Sequence, residues 1–382
     1  MARVNRDFLW RQGLLMVGCG LIFSACGTMS RPSVPLDSTP VEWAYDDSVG
    51  EVTSSHRRPQ AIAQLPSVVA LAYYGFAESV DSPLTTTPEL FRQQVEYLKL
   101  QNFSFFDLAQ WKASERQILG NQQILLTLEG WSPGHPEILK EAQTQRIPLV
   151  IFLNSKDLLN PEAKSYLIAN RNNPLITFGL RGSQLTQSLK QETKELGKLL
   201  GQPPKVYSYP AGEDPSMLKS TVKDLGYQLA MTHLSGAVGR ETDPLMWPRF
   251  PLNNRHGQLL GPQKNGFEIR AFALPLELKS LEAKEFFSTN KLFIGITTQI
   301  HDARRLNCFF NGSPVARIMR TAQHKHFAAS TKNWGHRYEI SLKEKPKGPP
   351  VLRCTLLGQP GNSSLPPRFH WGTVRIPSVE PR

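Results

Sequence analysis

The sequence predicts an α/β fold, with a parallel sheet covered by helices and closed or nearly closed as a barrel, followed by a small all-β sandwich domain. Two observations carry this prediction. From Ser67 to about residue 260, short continuous apolar runs alternate with amphipathic helical segments, which is typical of parallel strands buried on both faces. Beyond residue 262, short strand-like segments follow one another with turn residues between them, which is typical of an all-β domain.

The first 26 residues have the layout of a bacterial export signal. Three arginines precede an apolar run: Arg3, Arg6 and Arg11. The run, residues 13–23, is shorter than the roughly 20 apolar residues of a membrane-spanning helix. Ser24-Ala25-Cys26 resembles the site at which bacterial lipoproteins are acylated and cleaved, so Cys26 is the expected lipid attachment residue. By the resemblance to bacterial lipoproteins, Gly27 rather than Asp after the cysteine implies the outer membrane, facing the periplasm. A weaker lipid site at Cys19, and a cleaved signal without lipid, are the alternatives.

Composition limits the classes of partner. Residues 27–64 are rich in Ser, Pro and Thr and lack periodicity, so they are expected to be a tether. With 40% hydrophobic and 20% charged residues, the rest of the chain is expected to fold. The net charge of +12 is spread along the sequence, and no basic run is interleaved with aromatics, which argues against nucleic acid. A diffuse positive charge fits lipid headgroups or an acidic glycan.

The barrel region contains six predicted strands and two clear helices. The strands are Val68–Tyr73, Ile124–Leu128, Leu149–Leu153, Leu175–Phe178, Val206–Tyr209 and Leu229–Thr232. One helix begins after Thr87, which can cap it, with Pro88 in the first turn. The other runs from Leu185 to Leu200 and ends at Gly201. In folds of this kind the functional side chains lie at the carboxyl ends of the strands.

The C-terminal region is predicted to be a sandwich with a disulfide. The strand-like segments are Phe267–Ala273, Leu292–Ile296, Val315–Ile318, Tyr338–Leu342, Val351–Cys354 and Phe369–Val374. Cys308 and Cys354 remain after export, and disulfides persist outside the cytosol. We expect these two cysteines to pair, with two buried free thiols as the alternative.

Four segments, in order, resemble the polysaccharide deacetylase family, particularly its exported exopolysaccharide branch. They are Tyr73-Tyr74-Gly75-Phe76, Leu126-Thr127-Leu128-Glu129-Gly130, Tyr209-Pro210-Ala211-Gly212, and Gly226–Thr232 followed by Trp247-Pro248-Arg249. The resemblance covers roughly residues 66–255. It implies a distorted (β/α)7 barrel, which we place at residues 65–260, followed by the sandwich at residues 263–382.

The family removes an N-acetyl group by metal-assisted hydrolysis, with one Asp as general base and a second Asp and two His as metal ligands. In this chain the Asp pair is reduced to Glu129 followed by Gly130. Arg181 and Leu185 fall near the two His positions, and Tyr74 replaces a further His. A catalytic cation needs its full ligand set. The departures therefore predict a degenerate site without a metal cofactor, in which Glu129 is the one candidate catalytic residue.

The residues expected to contact a ligand lie at strand ends. They are Tyr74, Trp131, Arg181, Tyr209 and Arg249. Trp131 could stack on a sugar ring, and Arg181 could pair with Glu129 or meet an acidic sugar. In the sandwich, Trp334, Phe369 and Trp371 form a candidate sugar-stacking face. His324 and His326 are a weak metal candidate or a solvated basic face.

The predicted function is that of an envelope lipoprotein that binds or scaffolds an exopolysaccharide or cell-wall glycan without hydrolysing it. A polysaccharide export machine is a candidate partner. Two alternatives stay open from the sequence. One is an active N-deacetylase that holds zinc or another divalent metal in a rewired site, with His135 or His233 contributing. The other is a purely structural envelope protein.

Overall fold

The computed structural model describes residues 67–78, 85–111, 123–182, 186–211, 215–239, 242–252, 257–259, 265–276, 278–281, 291–297, 306–311, 313–321, 334–342, 351–359 and 368–376. The predicted signal, Cys26, the tether, and the pair His324 and His326 lie outside these ranges. Within them, no helix combines the length and apolarity needed to span a bilayer.

An eight-stranded parallel sheet forms the first half of the described chain. Its strands are β1 (Val68–Tyr73), β2 (Ser104–Phe105), β3 (Gln123–Glu129), β4 (Leu149–Leu153), β5 (Ile176–Arg181), β6 (Val206–Ser208), β7 (Leu229–Met231) and β8 (Phe250–Leu252). The order is β7-β6-β5-β4-β3-β1-β8, and β2 also pairs with β3. Every ladder is parallel. An isolated parallel bridge joins Met231 of β7 to Trp247, which lies three residues before β8. The predicted α/β half-barrel with helices is confirmed.

In the described ranges, six α-helices accompany the sheet. They are α1 (Pro88–Leu100), α2 (His135–Thr144), α3 (Pro161–Asn170), α4 (Thr186–Leu200), α5 (Pro215–Asp224) and α6 (Asn265–Ala271). The start of α1 is as predicted, because the Leu90 N–H donates to Thr87 Oγ1 at 3.1 Å and Pro88 occupies the first turn. Helix α4 is followed by Gly201 with φ of 75°, a left-handed conformation that glycine adopts without strain.

The barrel core lies on both faces of the sheet. All six residues of β1 are buried, which explains its unbroken apolar sequence. On one face, Phe91, Val95 and Leu98 of α1 pack into the main core cluster. Because the strands are parallel, their carboxyl ends meet at one edge of the sheet. The side chains that follow those ends are therefore brought together.

Two sheets, antiparallel except for one strand pair, form the predicted sandwich in the described residues. Their strands are β9 (Leu274–Pro275), β10 (Leu278–Leu281), β11 (Lys291–Thr297), β12 (Leu306–Phe310), β13 (Ser313–Pro314), β14 (Arg317–Thr321), β15 (Trp334–Ser341), β16 (Val351–Gln359) and β17 (Arg368–Arg375). One sheet has the order β10-β11-β15-β14 and the other β13-β12-β16-β17-β9, with β9 joining parallel to β17. Both sheets contribute to one apolar cluster, which includes Ile294 from β11 and Leu352 from β16. The predicted all-β domain is confirmed.

The strand predicted at Phe267–Ala273 is wrong. Residues 265–271 form helix α6, and a turn and β9 follow. Phe267 and Ala271 are both buried and stand four residues apart, so they share one helical face that packs into the barrel core. The alternating pattern was therefore produced by a short helix with Phe267 on its buried side, followed by the buried turn residue Phe272.

Cys308 and Cys354 form the predicted disulfide. They are directly opposed residues of the neighbouring strands β12 and β16, so the bond lies within one sheet of the sandwich. Both side chains are buried in the apolar cluster. The bond closes a long loop, because 46 positions separate the two residues.

The sandwich packs against the barrel through β17. Trp371 meets Phe250 of β8 edge to face, with ring centroids 5.1 Å apart. Thr373 Oγ1 donates to the Ser235 carbonyl, and Arg368 Nε donates to the Phe272 carbonyl at 3.2 Å. Strand β17 therefore runs along the exit of β7, where its last residues reach the carboxyl edge of the barrel sheet.

Candidate functional site

The carboxyl ends of five strands place polar side chains at one edge of the barrel. Glu129 and Arg181 are the last residues of β3 and β5, and Ser208 ends β6. Tyr74 follows β1 directly, and His233 lies two residues beyond β7. The sequence predicted Tyr74, Glu129 and Arg181 as site residues and named His233 only for the alternative of an active enzyme. Ser208 was missed because it ends an apolar run without standing out in composition.

Glu129 is held in a buried ion pair with Arg249. The two side chains are 2% and 1% exposed, and Arg249 Nη1 donates to Glu129 Oε1. Ser208 Oγ donates to the same carboxylate oxygen at 2.8 Å. A carboxylate whose charge is matched in this way is not available as a base or as a metal ligand unless it leaves a buried guanidinium unpaired.

Arg249 uses its remaining donors on the barrel itself. Its Nε donates to the Thr232 carbonyl at 3.0 Å, Nη2 to Ser208 Oγ at 2.9 Å, and Nη1 also to Thr127 Oγ1 at 3.4 Å. The guanidinium lies over the Phe152 ring, 5.3 Å from its centroid. Arg249 therefore ties together the ends of four strands.

His233 is a neutral member of the same network. Its Nε2 lies 2.9 Å from the Tyr209 carbonyl, which can only accept, so Nε2 carries the proton. Nδ1 then accepts from the Tyr74 hydroxyl at 2.9 Å. Burial, together with the positive charge of Arg249, lowers the pKa of His233 to about 4. At neutral pH the His233 imidazole is therefore uncharged and does not serve as a general acid.

Arg181 pairs with a carboxylate that the sequence analysis did not consider. Its Nη2 lies 3.5 Å from Asp157 Oδ2, so its ion-pair partner is Asp157 rather than Glu129. Asp157 follows β4, and its Oδ1 accepts from the Trp131 N–H at 3.2 Å. The signal for Asp157 was its place just after a buried strand.

Gly130 leaves room for the Arg181 guanidinium. Gly130 has φ of 82°, and a Cβ built on it would lie 2.6 Å from Arg181 Nη1. A positive group therefore occupies the space beside Gly130.

Trp131 and His135 form a small stacked pair. The two rings are nearly parallel at 15°, with centroids 5.3 Å apart, and Trp131 Nε1 donates to Glu162 Oε2 at 3.3 Å. His135 is fully buried, and its Nδ1 accepts from the Ser132 N–H at 2.7 Å. Burial lowers the pKa of His135 to about 4. One face of the half-buried Trp131 ring is therefore covered by His135.

A divalent metal, which the family resemblance implies, does not fit these residues. The Glu129 oxygen that would face it accepts from both Arg249 and Ser208, and the Arg181 guanidinium fills the space beside Gly130. A cation placed there would be repelled by two guanidinium groups. In the part of the chain that the structure describes, no three or more His, Cys, Asp or Glu side chains are grouped to hold a metal ion.

A cavity of about 200 Å³ opens beside this network. It is lined by Tyr209, Pro210, Pro215, Thr232, His233, Leu234 and Arg375. Six of these residues follow the ends of β6 and β7, and Arg375 is the last residue of β17 in the sandwich. Pockets for drug-sized ligands hold about 300–1,000 Å³, so this one suits a smaller group such as a single sugar ring. Sequence reasoning missed Arg375, because nothing local links a distant strand to the barrel edge.

The remaining predicted ligand residues occupy different depths. Tyr209 is 1% exposed and lines the cavity wall, while Tyr74 is half-buried and bonded to His233. Arg249 lies beneath the cavity in its ion pair with Glu129. In the sandwich, Trp371 packs against Phe250 of the barrel, and the side chain of Trp334 lies outside the described residues.

The depressed pKa values make folding stability depend on pH. In the unfolded chain a histidine has a pKa of about 6.5, whereas His135 and His233 have pKa values of about 4 when folded. Between these values the unfolded chain binds more protons, so the free energy of unfolding falls as pH falls from about 6.5 to 4. Urea unfolding across this range measures the slope. The variant His233→Gln should show a shallower slope, and a slope equal to that of the wild type would contradict this assignment.

No protein-family model matches the sequence, and no curated protein matches it. Among solved structures, the chain is similar to the deacetylase PplD of Streptococcus pyogenes, solved with acetate, at 15% identity and a TM-score of 0.44, over 50% of this chain and 94% of that one. IcaB from Ammonifex degensii has 19% identity and a TM-score of 0.43 over 52% and 94% of the two chains. A de-N-acetylase from Aggregatibacter actinomycetemcomitans has 13% identity and a TM-score of 0.43 over 49% and 95%.

Two of these three structures are deacetylases by their descriptions.

Proposed function

We propose that the barrel binds a glycan at the carboxyl edge of its sheet and does not hydrolyse it. The observation that supports this most strongly is the coexistence of an open cavity with a locked carboxylate. The cavity lies where a barrel of this kind holds its ligand, while Glu129 beside it is neutralised by Arg249. This edge of the sheet is therefore suited to binding a ligand. The Glu129 carboxylate is held by Arg249 and is not free to act as a base.

The cavity lining fits a sugar ring. Pro210, Pro215 and Leu234 offer apolar surface to the face of a ring, and Arg375 of β17 adds a charged group to the lining. Pockets that orient small ligands combine a mostly apolar wall with a few placed polar groups. The volume of about 200 Å³ accommodates one ring, so a polymer would present a terminal or side-branch residue.

The setting of this activity is proposed from the sequence. Cys26 would carry lipid and hold the protein at the outer membrane facing the periplasm, where exopolysaccharide or cell-wall glycan passes and an export machine is a candidate partner. No cofactor and no nucleic acid are part of the proposal. A Cys26→Ser variant should leave the membrane fraction, and its retention there would contradict the anchor.

Calorimetric titration with a panel of neutral and acidic oligosaccharides tests the binding. Filling the cavity by Leu234→Trp should weaken the binding of any ligand by at least about tenfold, because the bulky ring takes the space of the sugar. Leu234→Phe, a smaller change, should weaken it less. The matched control is Leu159→Trp, at a position that is 83% exposed, and it should bind as the wild type does.

Thermal unfolding of each variant separates loss of binding from loss of folding. The proposal is contradicted if no oligosaccharide of the panel binds to the folded wild type. It is equally contradicted if folded Leu234→Trp and Leu234→Phe bind with unchanged affinity.

A further inference from the structure

The ion pair that Arg181 makes among the described residues uses only part of its hydrogen-bonding capacity. A guanidinium has five N–H donors, and among the described residues the ion-pair partner of Arg181 is Asp157, at 3.5 Å. That separation is long for a charge-assisted hydrogen bond, which is typically 2.7–2.9 Å. The side chain is 34% exposed, so its free edge reaches solvent at the mouth of the barrel.

Asp157 orients the Arg181 guanidinium without using all of its N–H donors. Asp157 Oδ1 accepts from the Trp131 N–H, and Oδ2 accepts from the Asn154 N–H at 2.9 Å. Asn154 Oδ1 in turn accepts from the Asp157 N–H at 2.9 Å. The carboxylate is therefore fixed by its own loop and is 11% exposed. It gives Arg181 a rigid anchor on one side and leaves the other side open.

The location of Arg181 places it beside the cavity. Arg181 ends β5 directly opposite Ser208 of β6, and the residue after Ser208, Tyr209, lines the cavity wall. Arg181 Nη1 itself lies against Gly130. Glu129 is already neutralised by Arg249, so it does not cancel the charge of Arg181. A ligand seated in the cavity can therefore extend an anionic group towards the Arg181 guanidinium.

We propose that the Arg181 guanidinium binds the carboxylate of an acidic sugar at the mouth of the barrel. The inference rests on the proposed glycan binding and adds the class of ligand, a polysaccharide that carries uronic acids or a similar carboxylate. The planar fork of arginine matches a carboxylate with two parallel hydrogen bonds, which a lysine cannot reproduce. Gly130 is required for this role because any side chain there would meet the guanidinium.

A matched pair of ligands tests this proposal. Trigalacturonic acid and its carboxyl-reduced trisaccharide differ only in the carboxylates, and calorimetry gives the affinity of the wild type for each. We expect the acid to bind at least about tenfold more tightly, with an advantage that shrinks as salt is added. Arg181→Gln should remove this advantage and leave the affinity for the reduced trisaccharide unchanged. Arg181→Lys should restore only part of it.

Arg171→Gln is the control for loss of one positive charge. Arg171 is exposed and follows α3, which puts it at the opposite end of the barrel from the strand ends. The Arg171→Gln variant should bind trigalacturonic acid as the wild type does. Equal affinity for both trisaccharides, or an equal loss for both in Arg181→Gln, would overturn the proposal while glycan binding itself still stands. Binding of neither trisaccharide, nor of any other oligosaccharide, would instead contradict the proposed function.

A small free anion is the alternative ligand for the Arg181 guanidinium. Acetate and inorganic phosphate, titrated alone, should bind far more weakly than trigalacturonic acid, because they make no contact with the cavity wall. If acetate or phosphate binds as tightly as the trisaccharide, the site binds an isolated anion, and the assignment to an acidic sugar is wrong.

Discussion

Replacing Arg249 by methionine is expected to lower the free energy of unfolding by about 3–5 kcal/mol. Methionine fills much of the same volume but leaves the Glu129 carboxylate buried, 2% exposed, without its positive partner. Ser208 Oγ and Thr127 Oγ1 lose a donor as well. Urea unfolding, with the slope and midpoint both recorded, measures the loss.

A second variant separates a lost charge from lost packing. In Arg249→Met/Glu129→Leu both charges are gone, and an apolar pair of similar volume should regain most of the stability. Arg92→Met is the matched surface control, because Arg92 pairs with Glu137 at a partly exposed site and should lose no more than about 1 kcal/mol. A loss in Arg249→Met as small as that of Arg92→Met would mean that Glu129 is solvated and available for chemistry.

Removing the disulfide is expected to lower the free energy of unfolding by about 2–4 kcal/mol. The bond between Cys308 and Cys354 closes a loop of 46 positions, so its loss restores considerable entropy to the unfolded chain. The variant Cys308→Ala/Cys354→Ala tests this by urea unfolding, because alanine avoids placing a polar group in the buried cluster.

The reductant serves as the control for this prediction. Reduced wild type should unfold at the same urea concentration as the double alanine variant, and the variant should not respond to reductant. If fully reduced wild type unfolds at the same midpoint as the oxidised protein, the bond contributes nothing and the entropy argument fails.

The fold followed from sequence wherever one local rule dominated. The six predicted barrel strands are present because continuous apolar runs such as Val68–Tyr73 have few other solutions than a strand buried on both faces. Strand β8, Phe250–Leu252, was not predicted, since it is three residues long with Pro251 at its centre. Helix α6 was predicted as a strand because its seven residues are too few to distinguish the two periodicities.

The site was predictable only where its residues follow strands. Glu129 was found from its motif and its place at the end of β3. Its partner Arg249 lies 120 positions further along the chain, so the ion pair between them depends on the closing of the sheet and not on any local pattern. The same holds for Arg375, which reaches the cavity from the sandwich. Contacts of this kind are set by tertiary packing, and no local pattern in the sequence marks them.

Acetate release is the measurement that tests the central claim most directly. The protein is incubated with N-acetylglucosamine tetramer and with an N-acetylated acidic oligosaccharide, in the presence of excess zinc, while an active deacetylase is assayed alongside. Because Arg249 holds Glu129 and Arg181 fills the space beside Gly130, we expect binding without acetate release. Stoichiometric acetate release that Glu129→Gln abolishes would contradict this account and would make Glu129 the base of a working hydrolase.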